Sequence, residues 1–188
     1  MANKRTVALT KEQYEEIIVT MRTGFSGCRA NNRIATALVL EANLGIRISD
    51  IVKLKLNDIV KDSGRYSLDI TERKTGKKRT FTVPNELYQY MKIYCLENDI
   101  KFHELMFNLT ERAIQKQLKM VTDYLGHENI STQSFRKFFA TQVYINNDYN
   151  IVLVQQLLQH STPSVTQKYI GISTKDIENA LNKHICLI

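Results

Sequence analysis

Hydrophobic residues recur at helical spacing along most of this chain, and residues 65–84 are the one stretch where the spacing changes. There, apolar and polar side chains alternate on both sides of a short turn, the apolar set being Tyr66, Leu68, Ile70, Phe81 and Val83. A period of two indicates β-strands, and a glycine-containing turn between two such runs is typical of a hairpin. One hairpin among helices predicts an α+β fold that is mainly α-helical with a small antiparallel β-hairpin or sheet.

The turn of the predicted hairpin is rich in cations: Arg73, Lys74, Lys77, Lys78 and Arg79. A single lysine in a turn is usually only solvated, and we interpret Lys77 and Lys78, each taken alone, in that way. As a group, however, these cations form a basic finger suited to gripping phosphate.

The helices are predicted from apolar periodicity and from capping residues. Thr10 caps the first helix, and the second covers residues 29–43, leaves Glu41 on its polar side and ends at Gly45. Ser49 is the expected N-cap of the next helix. Further helices are predicted to begin near residue 85, to cover residues 110–125, 133–141 and 151–158, and to carry Tyr169.

Length and charge limit the kind of protein that this chain can be. Its 188 residues suit one domain whose core needs no disulfide. The net charge of +7 favours a polyanionic partner, because excess Lys and Arg attract nucleic acid over long distances. Its three cysteines are far apart, and no apolar run is long enough to span a membrane. We therefore expect a soluble, cytoplasmic protein without a zinc site.

Arg47 lies at a tight junction between two predicted helices, flanked by Ile46 and Ile48. Its backbone should be buried, while its guanidinium group must turn toward an anion. The sequence leaves two partners equally open, an internal carboxylate such as Asp50 or a bound phosphate.

Two short helices late in the chain bring an imidazole and a phenol together. His160 follows the helix over residues 151–158, and Tyr169 lies on the helix after it. In a basic chain this pair suggests phosphate chemistry, because a tyrosine oxygen can act as a covalent nucleophile where cations stabilise the developing charge. The plainer alternative is a helix-capping histidine beside a half-buried tyrosine.

The order of several motifs resembles the catalytic domain of the tyrosine recombinases, the phage-integrase family. The motifs are the junction 45–50 with Arg47, the hairpin 74–84 with Lys74, the pair Phe135-Arg136 with Ala140-Thr141, the segment 157–161 with His160, and the segment 166–170 with Tyr169. The resemblance covers nearly the whole chain, and ordered motifs are far more specific than any one of them alone.

This resemblance implies site-specific DNA recombination, by integration or excision, through a 3′-phosphotyrosyl intermediate. Tyr169 would be the nucleophile, and Arg47 and Arg136 would hold the non-bridging phosphate oxygens. Lys74 would be the general acid for the leaving 5′-oxygen, and His160 would hydrogen-bond the phosphate. The family needs neither a metal nor another cofactor for this chemistry.

The resemblance also implies supporting roles, with one departure. Asp50 matches an acidic position that supports the site, and the residues expected to bind DNA are Arg73, Lys77, Lys78 and Lys137. Gln133 stands one helical turn before Arg136, where the family usually has histidine. A glutamine amide can hydrogen-bond a phosphate but cannot take the proton of Tyr169, so slower cleavage is expected.

The expected layout is a catalytic domain over residues 1–175, of which residues 1–8 are loose, followed by a tail helix over residues 176–188. The N-terminal DNA-binding domain that family members usually carry is expected to be absent. The resemblance implies double-stranded DNA as the partner and a homotetramer on DNA, with the tail helix exchanged between neighbours.

Three other functions remain open. A non-catalytic DNA-binding module with the recombinase fold would bind DNA in a salt-sensitive way and form no covalent adduct. A structural or interaction protein would keep its function after charge reversal at the Lys74 hairpin. A type IB topoisomerase would use similar chemistry, although the whole chain resembles an integrase more closely.

Overall fold

The computed structural model describes residues 6–170 and residue 182. Within this part of the chain, eight α-helices occur together with one small antiparallel sheet of three strands, and the expected fold class is confirmed. The helices are α1 (Lys11–Thr23), α2 (Asn32–Leu44), α3 (Ile48–Ile51), α4 (Asn85–Glu97), α5 (Glu111–Tyr124), α6 (Thr132–Asn146), α7 (Ile151–Leu158) and α8 (Pro163–Ile170). The strands are β1 (Ile59–Asp62), β2 (Arg65–Thr71) and β3 (Lys78–Val83).

The predicted hairpin is formed by β2 and β3, which pair antiparallel with Leu68 opposite Phe81. A third strand, β1, adds to the free edge of β2 with Ile59 opposite Leu68. The sequence did not indicate β1, because only Ile59 of its four residues is buried and so no alternation is visible. The sheet is therefore one strand wider than the hairpin alone.

The main hydrophobic core surrounds α2, which packs against α1, α3 and α6. Because α2 is covered on several sides, Glu41 is completely buried, and its expected place on a polar face was wrong. Burial raises the pKa of its carboxyl well above the ordinary value, although the charge of Arg136 acts in the opposite direction.

A second, smaller cluster joins α7 and α8 to α6, and its buried members are Ala140, Val154, Leu158 and Ile170. Tyr169 packs against this cluster from its half-buried position. The helices α7 and α8, which flank His160 and of which α8 carries Tyr169, therefore pack on α6 through an apolar cluster separate from the main core.

Two expected helix starts differ from the structure. The second helix begins at Asn32, because the Asn31 side chain caps it by accepting from the backbone N–H of Ile34. The next helix has Arg47 in the N-cap position, and Ser49 lies inside it.

Both ends of the chain bear on the expected layout. Val7, in the segment expected to be loose, donates its backbone N–H to the carbonyl of Asn129, and the hydroxyls of Thr6 and Ser131 are 3.3 Å apart. The expected tail helix over residues 176–188 lies outside the described residues, apart from residue 182. Among residues 6–170, no helix has both the length and the apolar character needed to cross a membrane.

Candidate active site

Gly45 ends α2 and aims the following residues toward a cleft. Its φ of +59° is the left-handed conformation that was expected. A Cβ atom at Gly45 would lie 2.2 Å from the ring of Phe139, so the backbone approaches α6 as closely as only glycine permits. Two residues on, the Arg47 side chain emerges with 16% of its surface exposed.

Glu72 supplies the carboxylate partner of Arg47. Its side chain is 1% exposed and accepts from Arg47 Nη1 at 2.5 Å, from Arg79 Nη1 at 3.0 Å and from the Thr75 hydroxyl at 3.0 Å. Burial raises the pKa of Glu72, but these hydrogen bonds and charges outweigh burial and leave the pKa below the ordinary value. The internal ion pair left open for Arg47 is thus present, although its acid is not Asp50.

Arg79 is buried rather than part of the basic tip. It is 1% exposed and donates to the carbonyls of Gly45 at 3.4 Å, Leu44 at 3.3 Å and Leu157 at 2.5 Å, in addition to Glu72. Burial lowers its pKa. One guanidinium group therefore connects the hairpin to the C-terminal ends of α2 and α7.

Arg136 lies beneath the cleft and is completely buried. It donates to the carbonyls of Gly45 at 2.7 Å and Leu158 at 3.0 Å. Burial and the charges of Arg47 and Arg79 lower its pKa to about 10, so Arg136 remains charged at neutral pH. The structure places it in the floor of the site and not among the residues lining the cleft.

An open cleft of about 790 Å³ brings several predicted residues together. Among its lining residues are Arg47, Lys74, Gln133, Lys137 and Tyr169. The further cation Lys119 also lines it, but is paired with Asp123. Among residues 6–170, Glu111 is the one acidic residue in the lining, and a cavity with this many cations is suited to a polyanion.

The hydroxyl of Tyr169 donates to Gln133 Oε1 at 3.2 Å. Lys137 Nζ lies 5.8 Å from the centre of the Tyr169 ring and also donates to the backbone carbonyl of Thr6. The departure from the family pattern, Gln133, is therefore the hydrogen-bond partner of the expected nucleophile.

His160 contacts Tyr169 from another side. The ring centres are 4.6 Å apart, and His160 Nδ1 is 3.1 Å from the Thr166 hydroxyl. Burial, followed by the charges of Arg136 and Arg47, lowers the pKa of His160 to about 4, so the imidazole is neutral at pH 7. His160 lines a separate depression of about 420 Å³ together with Lys77, and not the larger cleft.

The remaining predicted residues lie around the hairpin. Asp50 is buried and accepts the backbone N–H of Arg73 at 3.0 Å, which ties α3 to the hairpin. The Arg73 side chain lines a third depression, of about 230 Å³, on the side of Asp58 and Asp69. Lys78 is exposed, and its carbonyl accepts from the Gln159 amide at 2.9 Å. The structure thus gathers Lys74 at the cleft but not Arg73, Lys77 or Lys78.

The sequence analysis missed Glu72 and wrongly placed Arg79 in the basic tip, although the alternation in the hairpin contains the signal for both. Glu72 continues the inward series of Leu68 and Ile70 on β2, and Arg79 precedes Phe81 at the same spacing on β3. Both therefore belong to the buried face despite their charges.

The chain is similar to known proteins along most of its length. It matches the phage integrase family over residues 8–175. It is 33% identical over 149 residues to the probable integrase/recombinase YoeC of Bacillus subtilis, which covers 76% of this chain and 79% of that protein. Tyrosine recombinase XerA of Pyrococcus horikoshii is 26% identical over 81% of this chain and 55% of its own length.

Solved structures share the fold at lower identity. The XerH site-specific recombinase bound to a palindromic difH substrate, a post-cleavage complex, has a TM-score of 0.73 at 20% identity, over 97% of this chain and 54% of that chain. The catalytic domain of bacteriophage HP1 integrase has a TM-score of 0.65 at 18% identity, over 96% of both chains.

The matches differ in how much of each relative's length this chain covers. The chain spans about half the length of XerA of Pyrococcus horikoshii, of XerC of Caldanaerobacter subterraneus and of XerH. It corresponds to nearly all of the HP1 catalytic domain. The expected resemblance is confirmed: the family match over residues 8–175, together with the YoeC identity, shows that this chain belongs to the phage integrase family, the tyrosine recombinases, which are enzymes that break and rejoin DNA strands.

Proposed function

We propose that this chain catalyses site-specific recombination of double-stranded DNA through a covalent 3′-phosphotyrosyl intermediate. The observation that carries the proposal is the shared cleft, in which Tyr169 lies with Arg47 and Lys74. Further support comes from relatives whose structures were solved on DNA, including the XerH post-cleavage complex.

In the cleavage step, the Tyr169 oxygen attacks the phosphorus atom and the bond from phosphorus to the 5′-oxygen breaks. Lys74 gives a proton to the leaving 5′-oxygen. Gln133 orients the hydroxyl through the 3.2 Å hydrogen bond, but an amide cannot accept a proton, so the tyrosine proton passes to water. The phosphoester is conserved in the new link, and a 5′-hydroxyl of another strand can therefore reverse the step without an external energy source.

Two arginines stabilise the negative charge that develops on the phosphate, one from the cleft lining and one from a buried position. Arg47 lines the cleft, and because a guanidinium group has five N–H donors, its contact with Glu72 leaves others for the phosphate. Arg136 acts from the floor by its charge. His160 is neutral, and when its Nδ1 accepts from the Thr166 hydroxyl its Nε2 carries the proton. Because His160 lines a separate depression, donation from Nε2 to the phosphate requires its ring to turn toward the cleft.

The test is covalent capture on DNA. The protein is mixed with a library of nicked duplexes and denatured, and the DNA that stays linked to protein is recovered and sequenced, with Tyr169→Phe as the control. We expect an adduct that is absent from the control, and its sequence gives the preferred site. DNA binding without any adduct from the parent protein would favour the non-catalytic module instead.

Gln133 makes a second test possible. Replacing Gln133→His places a proton acceptor beside the Tyr169 hydroxyl, and adduct formation should accelerate by about 100-fold, the lower end of what a general base contributes. Gln133→Asn, which cannot accept a proton either, is the matched control. Equal rates for the histidine variant and the parent would show that base assistance does not limit this site.

Assembly on DNA is the last part of the proposal. We propose a homotetramer on two duplexes in which the segment over residues 176–188 is exchanged between neighbours. Truncation after residue 175 should reduce the size of the complex on DNA, measured by light scattering. An unchanged complex would remove this segment from the assembly.

A further inference from the structure

The buried residue Glu72 stabilises the hairpin turn that carries Lys74. The backbone N–H of Glu72 donates to the carbonyl of Lys77 at 3.0 Å, and the carbonyl of Glu72 accepts from Gly76 at 2.8 Å. These bonds close the turn over residues 72–77. The Glu72 side chain does not line the cleft, so it does not touch a phosphate bound there.

One oxygen of this side chain contacts two groups that belong to different parts of the site. Glu72 Oε2 accepts from Arg47 Nη1 at 2.5 Å and from the Thr75 hydroxyl at 3.0 Å. Arg47 follows α2, whereas Thr75 is the residue next to Lys74 in the turn. The other oxygen, Oε1, is held by Arg79 at 3.0 Å, which fixes the orientation of the carboxylate.

We infer that Glu72 is a positioning residue, which holds Arg47 and the Lys74 turn in a fixed relation so that the phosphate ligand and the general acid meet the same phosphate. The inference rests on the function proposed above. A carboxylate in this place does more than neutralise Arg79, because neutralisation alone would not require the bonds to Arg47 and Thr75.

The experiment distinguishes a defect in proton donation by Lys74 from a defect in phosphate binding by Arg47, because it changes the leaving atom of the DNA. One substrate has the ordinary 5′-oxygen at the scissile phosphate, and the other has a bridging 5′-sulfur. A thiol has a pKa of about 8.5, so a thiolate leaves without needing a proton from Lys74. Lys74→Ala therefore provides the reference, since its defect on the oxygen substrate should disappear on the sulfur substrate.

Thr75→Ala removes the bond from the Thr75 hydroxyl to the Glu72 side chain, together with the longer bond that this hydroxyl accepts from the backbone N–H of Lys77 at 3.4 Å, and leaves the Glu72 contact with Arg47 in place. Thr75 is exposed, so this variant should fold normally. We expect it to form the adduct about 10-fold more slowly on the oxygen substrate and at the parent rate on the sulfur substrate, because proton transfer by a misplaced acid loses part of its usual contribution. Thr75→Ser, which restores the hydroxyl, should recover the parent rate on both substrates.

Glu72→Gln removes the charge that pairs with Arg47 and leaves one acceptor oxygen in place of two, so the contacts to Arg47, Thr75 and Arg79 cannot all be kept. A misplacement of about 1 Å can cost about 100-fold in rate, and we expect a loss of this size on the oxygen substrate. The sulfur substrate should recover only part of it, because Arg47 remains displaced. The thermal unfolding midpoint of this variant, compared with that of the parent, measures how far the loss of a buried ion pair also destabilises the fold.

The outcomes distinguish failure of the positioning role of Glu72 from failure of the proposed recombinase function. If the parent forms no adduct with either substrate, the proposed function fails. If the parent is active and Thr75→Ala either keeps the parent rate on oxygen or loses equally on both substrates, the positioning role is wrong. The same follows if folded Glu72→Gln reacts like the parent.

Discussion

The carbonyl oxygen of Gly45 accepts from two buried guanidinium groups, Arg136 at 2.7 Å and Arg79 at 3.4 Å. The same residue has a positive φ and touches the ring of Phe139. The position of both arginines thus depends on a backbone geometry that no larger residue can adopt here.

Replacing Gly45→Ala should lower the free energy of unfolding by about 2–5 kcal/mol, from about 1–2 for the left-handed conformation and about 1–3 for overpacking against Phe139. Gly64→Ala is the matched control, because Gly64 also has a positive φ, of +81°, but has nothing within 4 Å of its Cβ position. The control should lose only about 1–2 kcal/mol. Urea unfolding of both variants gives the comparison, and equal losses would contradict the clash.

His160 should make stability depend on pH in one direction. Its pKa is about 4 in the folded protein and 6.5 in its unperturbed state. Between these values the unfolded state binds more protons, so stability falls as the pH drops from about 6.5 to 4 and is independent of His160 above that range. Thermal midpoints of the parent should drop more between pH 7 and pH 5 than those of His160→Asn. A titration midpoint near 6.5 for His160, measured by NMR, would refute this.

At the scale of elements, the hairpin and the α7–α8 unit meet through polar groups rather than through the main core. Arg79 of β3 reaches the carbonyl of Leu157 at the end of α7, and Gln159 reaches back to the carbonyl of Lys78. The apolar cluster of α7 and α8 faces α6 instead. These bonds therefore hold the C-terminal end of α7, two residues before His160, against the hairpin.

Replacing Arg79→Lys should loosen α7 without unfolding the protein. The lysine keeps the charge beside Glu72 but cannot reach the several carbonyls that the guanidinium group joins. Amide hydrogen exchange should therefore accelerate in α7 and α8 and remain slow in α1 and α5, whose buried apolar residues belong to the main core. Uniform acceleration over all helices would mean that Arg79 supports the whole fold and not this junction.

The sequence predicted more of the elements than of their buried polar contacts. The periodicities located the described helices and the hairpin, because each depends on residues close in the chain. Glu72 and Arg79 were missed because charged residues near a basic turn suggest a solvated tip, and only strand pairing brings their opposite charges together. The separation of His160 from the cleft likewise depends on how α7 packs, which local spacing does not contain.

At the scale of the whole molecule, the net charge of +7 includes cations both in the cleft and on the outer surface of the hairpin. Arg47, Lys74 and Lys137 line the cleft, whereas Lys77 and Lys78 are exposed outside it. A duplex held over the cleft would meet the inner cations first and the outer pair along its flank.

Replacing both Lys77 and Lys78 with alanine should weaken DNA binding and make it less dependent on salt concentration. The slope of log K against log salt should become shallower by about 0.9 for each DNA phosphate that the variant no longer neutralises. The charge-matched control changes Lys92 and Lys101, which lie in α4 and in the loop that follows it. Fluorescence anisotropy over a salt series measures both. Identical slopes for the two double variants would place the outer pair outside the DNA footprint.

The hydrogen bond from Tyr169 to Gln133 lies within a single polypeptide. On the function proposed above, we therefore expect each copy of the protein to cleave with its own tyrosine, and not with that of a neighbour. In genetic terms, two alleles that encode Tyr169→Phe and Arg47→Ala should not complement each other. In a mixed assembly, each copy lacks either its tyrosine or its arginine, so no copy has a complete site.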